Sequence, residues 1–149
     1  DPDVLPLNRK QVELLLEARA AGASAVLLIA AVLERKGVEE LLDCVAEAGL
    51  EALVEVHTAD ELDLAVEAGA TLLGVNARNL STMVVDLQNC IDLAARIPKT
   101  AWAIAESGIK TREDLARLAS VGYRGFLIGE TLMDAADPGL VIRTLKGEG

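Results

Sequence analysis

The chain has 149 residues and a formal net charge of −10; 52% of its residues are hydrophobic but only 2% are aromatic. This length suits one ordinary domain with a real core, here a single α/β domain over residues 1–149. Because aromatic residues are so few, Ala, Val, Leu and Ile must build that core, which favours helices packed on a parallel sheet. The acidic balance argues against a nucleic-acid partner, since phosphate backbones need a basic face.

Membrane and metal roles find no support in the sequence pattern. No apolar run approaches the roughly 20 residues of a membrane span, and no signal-peptide pattern opens the sequence, so we expect a cytoplasmic protein without a membrane partner. Cys44 and Cys90 lie in helical patterns without metal-ligand spacing. We interpret both as reduced, buried or semi-buried thiols and expect no bound metal.

The first eight residues have a divergent pattern. A short strand at 4–7 would contain Pro6, which lacks an N–H and restricts such a strand to a sheet edge. From Arg9 the apolar residues follow a helical period that stops at Gly22, placed as a C-terminal cap. The continuous apolar run at 25–29 then predicts a buried strand.

This unit of helix, glycine and strand recurs along the chain. Glycine ends the helical patterns at positions 22, 49, 69 and 122, and an apolar run follows each of them. The predicted strands are 25–29, 52–56, 72–76, 101–105 and 125–128. Capping-box sequences at 58–61 and 111–114 start two helices, and further helices are predicted at 87–97 and at about 138–145.

Five or six parallel β/α units of this kind can close into a barrel or stay open as a sheet. A complete eight-stranded barrel typically needs about 250 residues. The sequence therefore predicts a partial (β/α)8 TIM barrel, with an open sheet as the alternative.

In both architectures the ligand site lies at the carboxyl ends of the strands. Candidate polar groups lie at the ends of four of the predicted strands, and they are Glu55 with His57, Asn76 with Arg78, Glu106 with Ser107, and the Gly129 backbone with Glu130. We expect these strand ends to converge on one site.

Glu55 and Glu106 are the most informative of these residues, because each carboxylate belongs to an apolar strand. Burying an unpaired carboxylate costs on the order of several kcal/mol, so a buried glutamate needs a partner that compensates for its charge. One interpretation is a paired or edge glutamate; the other is a general acid or base with a tuned pKa. Spacing alone leaves both open.

The remaining polar residues also allow two interpretations. His57 is more typical of a loop hydrogen bond than of catalysis, so it is a second-tier candidate. Arg78 could hold a ligand carboxylate in a bidentate fork or form a surface salt bridge. Trp102 and Tyr123 are interpreted as packing residues.

Two glycine-containing turns, at 107–108 and 129–130, follow the last two predicted strands. Glycine lets backbone N–H groups approach an oxyanion closely, and a following helix adds the positive end of its dipole. One such turn is weak support, but two on the last two strands match the place where barrels bind phosphate. The pair predicts a phosphate cradle.

Five motifs occur together in one order, and they are AVLLIAA (25–31), LVEVH (53–57), GVNARNL (74–80), AESGI (105–109) and IGETLM (128–133). In this combination the chain resembles indole-3-glycerol-phosphate synthase from about residue 11 to residue 145. The resemblance implies a barrel of the ribulose-phosphate-binding type and a lyase of tryptophan biosynthesis. Such an enzyme closes the indole ring of 1-(2-carboxyphenylamino)-1-deoxyribulose 5-phosphate, with decarboxylation and dehydration and without cofactor or metal.

The resemblance also assigns roles to individual residues. It implies catalytic roles for Glu55, Asn76, Glu106 and Ser107. It implies substrate-binding roles for Arg78 at the substrate's carboxylate, for Ser107, Gly108, Gly129 and the Glu130 backbone at the phosphate, and for Leu127.

The start of the chain departs from the family's pattern. The first-strand glutamate and lysine have no counterpart, and residues 3–5 stand where the third-strand lysine, the principal general acid, is expected. We therefore expect a fragment with weak or no activity. Its alternative role is structural: a truncated or engineered barrel piece that retains phosphate binding and associates with copies of itself, or with a complementing fragment, through open edges. A third reading is another phosphosugar barrel, such as a phosphoribosyl isomerase.

Overall fold

The structure, a computed structural model, describes residues 9–148. The possible strand at 4–7 and the divergent start at 1–8 lie outside the described residues. The helices are α1 (Arg9–Ala20), α2 (Arg35–Glu47), α3 (Ala59–Glu67), α4 (Leu87–Ala94), α5 (Arg112–Ser120), α6 (Glu130–Met133) and α7 (Pro138–Lys146). The strands are β1 (Ala25–Ile29), β2 (Glu51–Val56), β3 (Leu72–Asn76), β4 (Trp102–Glu106) and β5 (Gly125–Leu127).

The five strands form one parallel sheet in the order β1-β2-β3-β4-β5, so each strand pairs with the next one in the chain. Within the described residues β1 and β5 are the two edges, and the sheet stays open. Alternating helices and strands with this order confirm the prediction of a partial (β/α)8 barrel. The predicted strands agree with the observed ones to within one residue at each end.

Local signals in the sequence set the ends of the helices. Thr58 and Thr111 form the predicted capping boxes with Glu61 and Asp114, which satisfy the first N–H groups of α3 and α5. The repeat glycines at positions 22, 49, 69 and 122 all have a positive φ. That backbone conformation stops each helix and turns the chain into the next strand.

The core lies on one face of the sheet. Val54, Leu73, Val75 and Ala105 are fully buried there, beneath a helix layer that contributes Leu62 and other apolar residues. Cys90 is buried and Cys44 is partly buried, and both are free thiols, as expected. Tyr123 is buried as predicted and donates its hydroxyl hydrogen to the Cys90 backbone oxygen at 2.7 Å.

The opposite face of the sheet, which we call the inner face, is the one that would line the interior of a barrel. Trp102 pairs with Leu72 on β3. Side chains alternate along a strand, so both residues lie on the face opposite Leu73, which is the inner face. Trp102 is 57% exposed there. The expectation that Trp102 is a packing residue is therefore wrong: most of its surface is exposed, and its ring stacks on the Arg124 guanidinium, 4.6 Å from the ring centroid. Leu27 and Leu127 are also about half exposed on this face. Association through the open edges stays a prediction.

None of the helices within residues 9–148 is both long and apolar enough to cross a membrane.

Replacing one leucine on each face tests which face carries the core. We expect Leu73→Ala, on the helix-covered face, to lower the free energy of unfolding by about 2–5 kcal/mol, because it leaves a cavity. Leu27→Ala, on the inner face, should cost no more than about 1 kcal/mol, because half of its surface already contacts solvent. Urea denaturation of both variants measures this, and equal costs would contradict the assignment.

Candidate active site

A cleft of about 440 Å³ lies at the carboxyl ends of β2 to β5. Its lining residues are Glu55, Asn76, Arg78, Glu106, Ser107, Gly108, Ile109, Leu127, Ile128, Gly129, Glu130 and Thr131. Every residue predicted to be catalytic or substrate-binding is in this set. The structure thus brings the predicted residues together, while their individual roles stay predictions.

Three polar side chains form the floor of the cleft, and they are the buried polar or charged residues of the part of the chain that the structure describes: Glu55, Asn76 and Glu106. Adjacent strands supply them, because Asn76 is in register with Glu106, and Glu55 with Gly74. The Asn76 side-chain amide donates to Glu55 Oε1 at 3.1 Å, and its Oδ1 accepts from the Arg78 N–H at 2.9 Å. Both ends of this amide are therefore fixed.

The Glu106 carboxyl group packs directly over Gly74. A Cβ at position 74 would lie 2.0 Å from Glu106 Oε1, so any side chain there would displace the carboxyl group. Among the described residues, this same oxygen is the buried side-chain atom without a hydrogen-bond partner. A buried oxygen that the protein leaves unsatisfied is uncommon in folded proteins, and it marks Glu106 as a candidate for a functional role.

Burial raises the pKa of Glu106 to about 8, and the neighbouring Glu55 carboxyl adds to the rise. Both effects disfavour the charged form of Glu106, so this residue is largely protonated at neutral pH. The site therefore combines a neutral carboxylic acid with a second carboxyl group whose Oε1 accepts a hydrogen bond from Asn76. Paired carboxyl groups in different environments can divide acid and base roles between them.

His57 serves the fold rather than the cleft. Its Nδ1 lies 2.7 Å from the Asn76 backbone oxygen, and that hydrogen bond requires the proton on Nδ1. The His57 backbone also accepts a hydrogen bond from the Asn89 side chain and donates one to Glu61. These contacts tie the end of β2 to β3 and α4, which fits the loop interpretation of this second-tier candidate.

The turn after β4 is held in an unusual backbone conformation. Ser107 and Gly108 both have positive φ, 68° and 72°, and a Cβ at Gly108 would lie 2.5 Å from a Val85 side-chain carbon. The Ser107 N–H donates to the Leu127 oxygen at 3.3 Å. Of the two Ser107 donors, the hydroxyl is thus the one that can serve a ligand.

The second turn, at Gly129, opens the cleft from the side of β5. Gly129 has open space where a Cβ would be, so nothing in the protein fills this position. Thr131 on α6 donates its hydroxyl to the Ile109 oxygen at 2.7 Å, which ties α6 to the turn after β4. The two glycine turns therefore face one cleft, as a phosphate cradle requires.

Arg78 forms the salt bridge that was one of its two predicted roles. Its Nη2 pairs with Glu130 Oε2, which lies 52 positions further along the chain. Both residues line the cleft, and the Glu130 side chain is largely exposed, so the ion pair lies where the cleft opens to solvent. The bidentate ligand role stays a prediction.

The residue patterns did not predict two residues that shape the site, Gly74 and Thr131. Gly74 lies between Leu73 and Val75 in the interior of β3, and an interior strand glycine is a recognised sign of a close approach by another group. Thr131 gave no signal, because its contact with Ile109 depends on the tertiary fold. Residues 9–148 contain no group of three or more His, Cys, Asp or Glu side chains that could hold a metal.

An open parallel sheet with a polar cleft at its carboxyl edge defines part of a (β/α)8 barrel. A sequence model of the indole-3-glycerol phosphate synthase family matches residues 7–145, and the chain belongs to that family. It is 49% identical over 132 residues to the indole-3-glycerol phosphate synthase of Magnetococcus marinus, covering 89% of this chain and 49% of the relative. It is 47% identical over 133 residues to that of Koribacter versatilis, covering 89% and 51%. The chain thus spans about half the length of these relatives.

Solved structures agree on the fold. 3-Hexulose-6-phosphate synthase from Salmonella typhimurium matches 95% of this chain and 68% of its own length, with a TM-score of 0.75 and 20% identity. A mandelate oxidase with benzoyl-formic acid matches 93% and 52%, with a TM-score of 0.71 and 15% identity. At such identities the likeness concerns the fold alone.

The raised pKa of Glu106 predicts that stability falls with rising pH. Between the ordinary value of 4.5 and about 8, the folded chain retains a proton on Glu106 that the unfolded chain releases, so the free energy of unfolding decreases. Glu106→Gln holds no such proton and should lose less stability between about pH 6 and about pH 8. Urea denaturation at both pH values checks this, with Glu51→Gln as the exposed control. Equal losses in the parent and Glu106→Gln would contradict it.

Proposed function

We propose that this chain carries the carboxyl-terminal part of the active site of an indole-3-glycerol phosphate synthase. The substrate would be 1-(2-carboxyphenylamino)-1-deoxyribulose 5-phosphate, whose indole ring is closed with loss of carbon dioxide and water. The observation that supports this most is the buried cluster of Glu55, Asn76 and Glu106 on the floor of a cleft rimmed by two glycine turns. Membership of the family supports it independently.

The reaction needs proton transfers that the two carboxyl groups can supply. Ring closure places negative charge on a carbonyl oxygen, and dehydration needs one group to protonate the leaving hydroxyl and another to remove a proton. Glu106, protonated at neutral pH, is the candidate donor, and Glu55 is the candidate acceptor. Asn76 orients Glu55 through its side-chain amide.

The ends of the cleft divide the recognition of the substrate. Ser107, Gly108 and Gly129 would receive the phosphate, whose charge suits a hydroxyl and backbone N–H groups. Arg78 at the mouth would receive the carboxylate of the aromatic ring. The exposed part of Leu127 would contact the sugar or the ring between these two ends.

Turnover by this chain alone is proposed to be weak. The family resemblance places the principal general acid on a third-strand lysine for which residues 3–5 offer no equivalent. Losing one positioned acid typically costs about 10²–10⁴ in rate. Substrate binding at the phosphate end depends on residues that the chain contains.

One experiment separates binding from chemistry. Calorimetry should detect binding of the substrate to the parent chain and at least about tenfold weaker binding to Gly129→Ala, because the methyl group enters the space kept for phosphate. Gly37→Ala, whose Cβ makes an ordinary contact in α2, is the control and should bind like the parent. Indole product formed by the parent should vanish in Glu55→Gln but persist in Glu51→Gln, at the other end of the same strand.

Two results would contradict the proposal. One is the absence of any substrate binding by the parent chain. The other is equal binding by the parent and Gly129→Ala, which would show that the turn at Gly129 does not bind the substrate's phosphate.

A further inference from the structure

We propose that the Glu130 carboxylate is the resident counter-ion of Arg78, and that it sets the affinity of the site for an aromatic carboxylate by competing for the same guanidinium. The inference rests on the proposed function, in which Arg78 receives the substrate's ring carboxylate. It adds a specificity-determining role for the Glu130 side chain, beyond the phosphate contact expected of this position's backbone.

The ion pair crosses the mouth of the active-site cleft. Arg78 lies just after β3 and Glu130 begins α6 after β5, so β4 runs between the elements that carry them. Both side chains also line a second cleft of about 570 Å³, whose outer wall includes Val85 and Lys110. The pair therefore forms part of the boundary between the two clefts, together with Gly108 and Thr131.

The two partners are held very differently. The Arg78 N–H donates to Asn76 Oδ1 at 2.9 Å, and Arg78 forms an antiparallel bridge with Val85 across its loop. Its Nη1 lies 3.5 Å from the Met83 oxygen, and its side chain is mostly buried. Glu130, in contrast, is 68% exposed and belongs to a helix of four residues. The guanidinium is fixed, and the carboxylate can be exchanged.

The chemistry of the pair identifies the competitor. A guanidinium binds carboxylates through a planar fork, and the ring carboxylate of an aminobenzoate offers the same two oxygens as Glu130. A ligand carboxylate that takes this place must first break an ion pair that the free protein already has. Because the Glu130 side of the pair is exposed to solvent, we expect it to contribute no more than about 1 kcal/mol, which corresponds to an affinity lowered by up to about fivefold.

The test measures anthranilate binding by calorimetry to the parent and three variants. Glu130→Gln should bind about two- to fivefold more tightly, because a neutral amide competes less well than a carboxylate for the Arg78 guanidinium. Glu130→Asp keeps the negative charge, but its side chain is one methylene shorter, so we expect it to lose contact with Arg78. This variant should therefore also bind anthranilate more tightly than the parent. Arg78→Gln should lose binding.

The matched control is Glu67→Gln. Glu67 forms an exposed ion pair with Arg35, away from both clefts, and at 61% it is nearly as exposed as Glu130. Breaking that pair should leave anthranilate affinity unchanged.

The outcomes separate this inference from the proposed function. If neither Glu130 variant binds more tightly while Arg78→Gln abolishes binding, competition is overturned and the carboxylate role of Arg78 stands. If Glu130→Gln binds more tightly but Glu130→Asp does not, direct competition is also overturned. That result would show that the negative charge at position 130, and not its contact with Arg78, weakens anthranilate binding. If neither the parent nor any Glu130 variant binds anthranilate, both the competition and the carboxylate role of Arg78 are wrong.

Discussion

The site depends on one packing constraint: the carboxyl group of Glu106 lies against a backbone position that has no side chain. Gly74 leaves that space on β3, and the register between β3 and β4 brings Asn76, two residues further along the same face, beside Glu106. Asn76 in turn holds Glu55 on β2. Three neighbouring strands thus place two carboxyl groups and an amide on one floor, and burial keeps the Glu106 carboxyl protonated near neutral pH.

The two faces of the sheet divide stability from chemistry. The face under the helices is apolar and mostly buried, so it can hold the strands in register without help from the cleft. The inner face tolerates Glu55, Gly74 and Glu106 because it contributes little to that core. This division explains how one small domain can carry costly buried carboxyl groups: the energy that holds them comes from the other side of the same strands.

Residue patterns predicted much of this arrangement. Helix-ending glycines and capping boxes identified the β/α repeat, and carboxylates at the ends of apolar strands identified Glu55 and Glu106, because few other reasons place a charge there. Trp102 was misjudged, since residue type indicates packing but not whether anything covers the face on which the residue lies. The pairing of Arg78 with Glu130 could not be predicted either, because it joins residues 52 positions apart whose approach depends on the curvature of the sheet.

The most direct test of the account is an NMR titration of the glutamate side-chain carboxyl carbons, labelled with carbon-13 and assigned by comparison with Glu106→Gln. An exposed glutamate titrates at about 4.3. Because burial raises the pKa of Glu106, we expect one carbon with a midpoint of about 8, and we expect it to be missing from Glu106→Gln. If every glutamate in the parent chain titrates within about one unit of the ordinary value, Glu106 is ionised at neutral pH and the proposed pairing of a neutral acid with Glu55 is wrong.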